Sequence, residues 1–126
     1  MSDYWTMALD AADDARVLLA AEKSRGATSR AYYAMFDAAR AALARVDSEL
    51  PMAKSHQTII SRFGLHIVVG NGLDPELGRY LNTTEELRIT ADYDQAEFAI
   101  EEARATLVRM EHLLAVIAGL LGKAPP

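Results

Sequence analysis

Side chains able to hold or transfer a charged group concentrate in three short strings of this sequence. They are Ser29-Arg30-Ala31-Tyr32-Tyr33-Ala34-Met35-Phe36, then Lys54-Ser55-His56, then Leu87-Arg88 followed by Ala91-Asp92-Tyr93. Arg30 carries a guanidinium fork suited to a phosphate or carboxylate. On a helix it shares a face with Tyr33, Asp37 and Arg40, because offsets of three, four and three return to the same side. Tyr32 and Tyr33 point about 100° apart on a helix, so one joins that face and the other belongs to the core. Tyr33 is the site candidate and Tyr32 the core residue. A solvated outer stripe accounts for Arg30 and Asp37 equally well.

His56 follows a serine able to cap a helix, which puts its imidazole in a first turn where the positive helix end favours the neutral ring. A neutral imidazole serves as base or hydrogen-bond partner, and Lys54 beside the open amides of a helix start suits an anion. A capping segment with incidental charges explains the same residues. Arg88 and Asp92 stand at i and i+4. The plain account of that pair is a surface ion bridge worth about 0.3–0.5 kcal/mol. The chemical account makes Arg88 a phosphate or RNA contact that Asp92 orients, with the Tyr93 hydroxyl alongside. His66 and His112 read as surface or boundary residues. There is no cysteine, which removes disulfides, thiolate ligation and a cysteine nucleophile together. No Glu-x-x-His pair exists for a di-metal bundle, so neither metal nor cofactor is expected.

The elements that must hold these residues are helices. Tyr4, Ala8, Ala11, Ala15 and Leu18 keep alternating spacings of four and three, predicting a first helix from about Ser2 to Ser24 that stops near Gly26. A second, from about Thr28 to Val46, has Thr28 and Ser29 as capping candidates and is apolar almost all round, which places it at the centre. Ser55 can cap a third that runs to about Ile67 through Ile59, Ile60 and Phe63, with Gly64 weakening its last turn. Pro75 suits the first turn of a fourth, ending near Ala91 and burying Leu77, Leu81, Thr84 and Leu87. A fifth, from about Gln95 to Leu121, repeats Ala96, Ala99, Ala103, Leu107, Met110, Leu114, Ile117 and Leu121 before Gly122. Nothing alternates with period two, so the expected class is all-α: an antiparallel helical bundle of about five helices.

A chain of 126 residues suits one domain, residues 1–126. Its apolar residues are dispersed among charges, and no run approaches the roughly 20 that a membrane span needs. Met1 to Asp10 contains Asp3 and no basic region ahead of an apolar run, unlike a secretion signal. The expectation is therefore a cytoplasmic protein without a membrane partner. A formal net charge of -5 is opposite to the basic footprint of a dedicated nucleic-acid binder; it argues against DNA and confines any RNA contact to a local patch. Small size and long amphipathic helices point to a homodimer.

Together the three strings resemble the HEPN family, specifically the bacterial and archaeal branch with the pattern S-R-x-Y-Y-A-x-F, then K-S-H, then L-R-x-x-A-D-Y. Order and spacing agree across nearly the whole chain, and the adjacent tyrosines after Arg30 are the most specific element. The resemblance implies a helical bundle that dimerises, is encoded beside a small nucleotidyltransferase, and in some members acts as a ribonuclease toxin. Relatives of the fold are similar to substrates of that nucleotidyltransferase at a nearby tyrosine, which here would be Tyr93. Ribonuclease members resemble one another in an arginine followed, after four to six residues, by a histidine. This chain lacks that spacing: Arg62 precedes His66 by four positions, Arg109 precedes His112 by three, and Arg88 is followed by Asp92 and Tyr93. The resemblance therefore leaves catalysis unassigned. It implies a HEPN-type binding module, paired with a nucleotidyltransferase-like protein or binding a nucleotide or RNA, as half of a toxin and antitoxin pair. The ligand-binding set is Arg30, Tyr33, Lys54, His56, Arg88, Asp92 and Tyr93. The alternatives are a metal-independent ribonuclease using Arg88 with Tyr93 or His56, and a structural helical adaptor.

Overall fold

The computed structural model describes residues 3–46, 55–93 and 98–126, and among them the chain forms five α-helices and no strand. These are α1 (Tyr4–Ala20), α2 (Ser24–Leu43), α3 (His56–Arg62), α4 (Glu76–Tyr93) and α5 (Ile100–Leu121), with a π-helical stretch, Phe63–Val69, continuing α3. None of the helices is long and apolar enough to cross a membrane. The all-α bundle expected from the spacing is what forms.

Helix α2 is the centre. It buries residues on nearly every side, from Ala27 and Thr28 through Tyr32, Met35 and Phe36 to Leu43, and packs on every other element. Its alanines make this geometry feasible: Ala31, Ala34, Ala38 and Ala39 are fully buried, as are Ala8, Ala11, Ala12 and Ala15 of α1. Side chains that end at Cβ let two helix backbones approach closely. The larger apolar groups, Leu107, Met110, Leu114 and Ile117 of α5 and Leu77 and Leu81 of α4, close the other sides of the core.

Several boundaries differ from the expected ones. Helix α1 ends at Ala20 rather than near Gly26, because Glu22 takes the left-handed conformation with φ 60°. The Glu22 amide bonds the Leu19 carbonyl at 2.9 Å and the Lys23 amide reaches Leu18 at 2.8 Å, a termination usually given to glycine. Gly26 lies inside the first turn of α2, where a Cβ would stand 3.2 Å from Leu18. Thr28 and Ser29 therefore lie within the helix and cap nothing; α2 starts after Lys23, which makes no side-chain cap. Ser55 does cap α3, accepting from the Thr58 amide at 3.1 Å. Helix α4 starts at Glu76, its amide held by Asp74 at 3.0 Å, and α5 starts at Ile100 rather than Gln95 and ends on Gly122 at φ 68°.

The π-helical stretch has a reading in its burial pattern. From Phe63 the next core positions are Ile67 and Val68, four and five residues on. An α-helix would turn positions three and four residues on toward the core, His66 and Ile67. Hydrogen bonds that reach one residue further back rotate His66 to solvent and bring Val68 inside, where it is 4% exposed.

Candidate functional site

The residues that converge come from three helices. Tyr32, Tyr33 and Phe36 follow one another along α2, His56 opens α3, and Glu85, Arg88 and Asp92 line one side of α4. The His56 ring stacks on Phe36 with centroids 4.2 Å apart and on Tyr32 at 5.7 Å, and meets the edge of Tyr33 at 5.9 Å. His56 Nδ1 lies 2.9 Å from the Tyr32 hydroxyl and 3.6 Å from Glu85 Oε2. Arg88 donates from Nη2 to Glu85 Oε1 and from Nη1 to Asp92 Oδ2, each at 3.0 Å. Its guanidinium carbon stands 5.3 Å from the Tyr32 ring centroid and 5.6 Å from that of Tyr33.

An up-and-down bundle with short links would start α3 beyond the end of α2. Here α3 starts against Tyr32–Phe36, part-way back along α2. The distance along α2 from Leu43 back to Phe36 is about 10 Å at 1.5 Å per residue. This return gathers the strings into one site.

The electrostatics are set by burial and by the ion pair. Tyr32 is fully buried; burial pushes its hydroxyl far above the usual phenol range and the Glu85 carboxylate adds to the effect. Burial pushes the Glu85 carboxyl up, but hydrogen bonds from Arg88 and Tyr32 outweigh it and hold the group below its ordinary value of 4.5. Burial would lower the Arg88 pKa, yet Glu85 reverses this and raises it. At neutral pH the set is a carboxylate and guanidinium beside a protonated phenol. Glu85 Oε2 is buried without a partner at normal hydrogen-bond distance, so we assign the Tyr32 proton toward it. In the tautomer this favours, His56 Nδ1–H donates to the Tyr32 oxygen and the lone pair lies on Nε2.

A pH dependence follows with a definite sign. A carboxyl depressed in the folded state adds stability that is complete above its unfolded pKa and is lost as pH falls through the folded value. The Glu85 contribution is therefore intact at neutral pH and disappears below about 4.5. Urea denaturation from pH 7 to pH 3 should show a Glu85→Gln protein with a shallower acid decline than the parent. Parallel declines would refute the ionised pair.

The structure brings Tyr33, His56, Arg88 and Asp92 together and sets Arg30 at the margin. Arg30 Nε is 3.7 Å from Asp14 of α1 and its guanidinium carbon is 5.7 Å from the Tyr33 ring. The rest of the polar line on α2 turns elsewhere: Asp37 pairs with Arg40, whose guanidinium covers Tyr4 at 4.4 Å and Phe36 at 5.0 Å. Tyr93 is 78% exposed and joins none of these contacts, and Lys54 lies outside the described residues. Two expectations are corrected. Arg88 and Asp92 are not a surface ion bridge, because the Arg88 side chain is only 13% exposed and binds a second carboxylate, which engages both arms of its fork. Tyr32, assigned to the core alone, is in the core and at the site at once. Glu85 was missed, although its position three residues before Arg88 places it on the same face as Arg88 and Asp92. Among the described residues no group of three or more acidic or histidine side chains is arranged to hold a metal ion.

The arrangement yields an imidazole whose inner edge is fixed by tyrosine and carboxylate, whose face lies on Phe36, and whose side chain remains 39% exposed. Comparison with known proteins adds the lineage. The HEPN domain model matches residues 1–120. A UPF0332 protein of Thermotoga maritima is 31% identical over 121 residues, covering 94% of this chain and 89% of that protein. A Methanocaldococcus jannaschii protein named as a candidate toxin is 32% identical over 97 residues, covering 77% of this chain and 70% of that protein. A UPF0332 protein of Gloeobacter violaceus is 44% identical over 68 residues, 54% of this chain, and the chain spans only 52% of that relative. Matched by the family model over almost its whole length, the chain belongs to the HEPN domain family.

Proposed function

We propose that this chain is a toxin-type HEPN module that binds RNA or a nucleotide at the open edge of His56, works as a homodimer and is restrained by a nucleotidyltransferase-like partner. The observation that carries the reading is the orientation of His56: a buried Tyr32–Glu85–Arg88 set holds one ring nitrogen and leaves the other toward solvent. Buried support of this kind fixes a ring for contact with a ligand. Tyr33 and Arg30 on the margin supply a stacking face and a cation, the two devices by which single-stranded nucleic acid is held without sequence preference. Relatives named as candidate toxins support the toxin assignment.

One observation favours a second reading, that of a metal-independent ribonuclease. The lone pair on His56 Nε2 is suited to accept the proton of a ribose 2′-hydroxyl as it attacks the adjacent phosphate, while the P–O5′ bond breaks and the leaving 5′-oxygen takes a proton from water. Tyr93 has no comparable support, so His56 is the residue on which catalysis would rest.

The test uses the whole chain with a fluorescent single-stranded oligoribonucleotide in the presence of EDTA, following binding by anisotropy and cleavage by gel. His56→Gln should weaken binding about tenfold, the equivalent of one hydrogen bond, while circular dichroism shows the fold intact. Equal affinity of the parent and His56→Gln would sink the assignment. Cleavage by the parent and none by the variant would select the ribonuclease reading.

A further inference from the structure

His112, which the sequence marked only as a surface or boundary residue, is half of a second tyrosine–histidine pair. The Tyr80 hydroxyl lies 3.0 Å from His112 Nδ1, with ring centroids 5.7 Å apart. This pair belongs to a different side of the bundle from His56. Tyr80 and Glu85 are five residues apart on α4, about 140° around the helix axis at 100° per residue. Likewise on α5, Glu111 faces α1, where it binds Arg16 at 2.6 Å, and His112 turns to α4.

Arg109 stands one turn before His112 on that same flank, three residues and about 60° away. It is half-buried, and its Nη1 is buried with no hydrogen-bond partner. Among the described residues it makes no ion pair, unlike Arg16, Arg30, Arg40, Arg79 and Arg88. Helices α4 and α5 form an antiparallel hairpin, so with Tyr80 opposite His112, Arg109 is level with Thr83 and Thr84. Thr84 is fully buried, and its hydroxyl also lacks a partner. Buried donors are normally satisfied, so the Arg109 Nη1 group is a donor able to take an added acceptor. Glu76, one turn before Tyr80 on α4, is held by Arg79 at 2.5 Å.

We propose that Tyr80, Arg109 and His112 form a phosphate-binding site on the α4–α5 flank, separate from the His56 site. A neutral tyrosine–histidine pair holds two polar protons, of which one lies in the hydrogen bond between them. The other is then presented outward, as the Tyr80 O–H or the His112 Nε2–H according to tautomer. An anion selects that donor in either case. Arg109 adds a charged fork from one turn away. A fork that takes two oxygens of a tetrahedral phosphate leaves a further oxygen, out of the fork's plane, for the third donor, which a planar carboxylate does not have. The phosphate comes from a free nucleotide or from an RNA backbone.

The experiment is side-chain ¹H–¹⁵N NMR of the labelled whole chain, titrated at constant ionic strength with inorganic phosphate, a nucleoside monophosphate and a single-stranded oligoribonucleotide. Saturable shifts are expected at the Arg109 Nε–H and the His112 ring with inorganic phosphate while the His56 signals stay in place. Arg109→Gln should weaken the tightest of these probes about tenfold, Arg109→Lys should fall between, and the exposed His112→Ala, which leaves the core untouched, should weaken it as well. Tighter binding of the oligoribonucleotide than of the mononucleotide identifies an RNA backbone as the source, and equal binding identifies a free nucleotide. No saturable shift with any probe, shifts that persist in Arg109→Gln, or the same shifts from chloride would overturn the site. His56→Gln should leave all these shifts unchanged, so the two sites stand or fall separately.

Discussion

Replacing Arg88 with alanine is expected to lower the stability of the folded chain by about 2–4 kcal/mol, several times what an exposed helix ion pair is worth. The substitution removes two charge-assisted hydrogen bonds, to Glu85 and to Asp92. It also withdraws a cation from between the Tyr32 and Tyr33 rings. The larger consequence falls on what remains. Glu85, with a side chain 18% exposed, would keep a charge in a place that burial disfavours, with the Tyr32 hydroxyl in place of a cation beside it. The usual penalty for an orphaned charge of this kind exceeds the net worth of the intact pair. Because Asp92 is the more exposed partner, its share is screened and counts for little. Urea denaturation of parent, Arg88→Ala, Glu85→Gln and the double variant would separate these terms. The double variant should recover part of the loss, since neutralising Glu85 removes the orphan charge. A loss under 1 kcal/mol for Arg88→Ala, or strict additivity in the cycle, would show that Arg88 and Glu85 do not act together.

The parts of this arrangement legible in the sequence are those written in short periods. The apolar spacing of α5, the near-complete burial of α2 and the Ser55 cap were all readable, because each depends on residues within a few turns of one another. The adjacent tyrosines and His56 were also visible as candidates. What could not be read was how the strings meet. Tyr33 and His56 touch only because α3 returns along α2, and that path is a property of the connection, not of any helical period. Tyr32 was set aside by a rule that a helix position faces either core or site. In a small bundle the site is the edge of the core, and a fully buried ring can offer its hydroxyl to a half-exposed histidine. Glu85 was hidden for the opposite reason, since a glutamate in mid-helix has an ordinary solvated reading until its neighbours are known. The Glu22 turn shows the same limit at smaller scale: glycine marks a helix end in sequence, whereas the left-handed position here is filled by a residue that gives no sign of it.

A second large effect is expected at Gly70, where alanine should cost about 2–3 kcal/mol. Gly70 closes the π-helical stretch with an ordinary right-handed backbone, so conformational freedom is not what glycine supplies. It supplies space: a Cβ there would collide with the His66 carbonyl oxygen. That oxygen is backbone and cannot swing aside as a long side chain would. The remaining relief is to rewind the segment toward α geometry, which turns His66 to the core and Val68 outward, exchanging a buried valine for an imidazole. Gly64 is the internal control. It lies inside the same stretch, and beyond that helix's own backbone nothing comes within 4 Å of its added Cβ, so Gly64→Ala should be neutral or stabilise by up to about 1 kcal/mol through the unfolded chain. Thermal and urea unfolding of the two variants would decide the matter, with amide exchange at Val68 reporting the rewinding directly. Phe63 is core-facing in either winding, so the disturbance runs toward Val69 and not back to His56, and oligoribonucleotide binding by the folded Gly70→Ala protein should be unchanged. Equal stability of Gly70→Ala and Gly64→Ala would mean that the π-helical turn is not held by the space at Gly70.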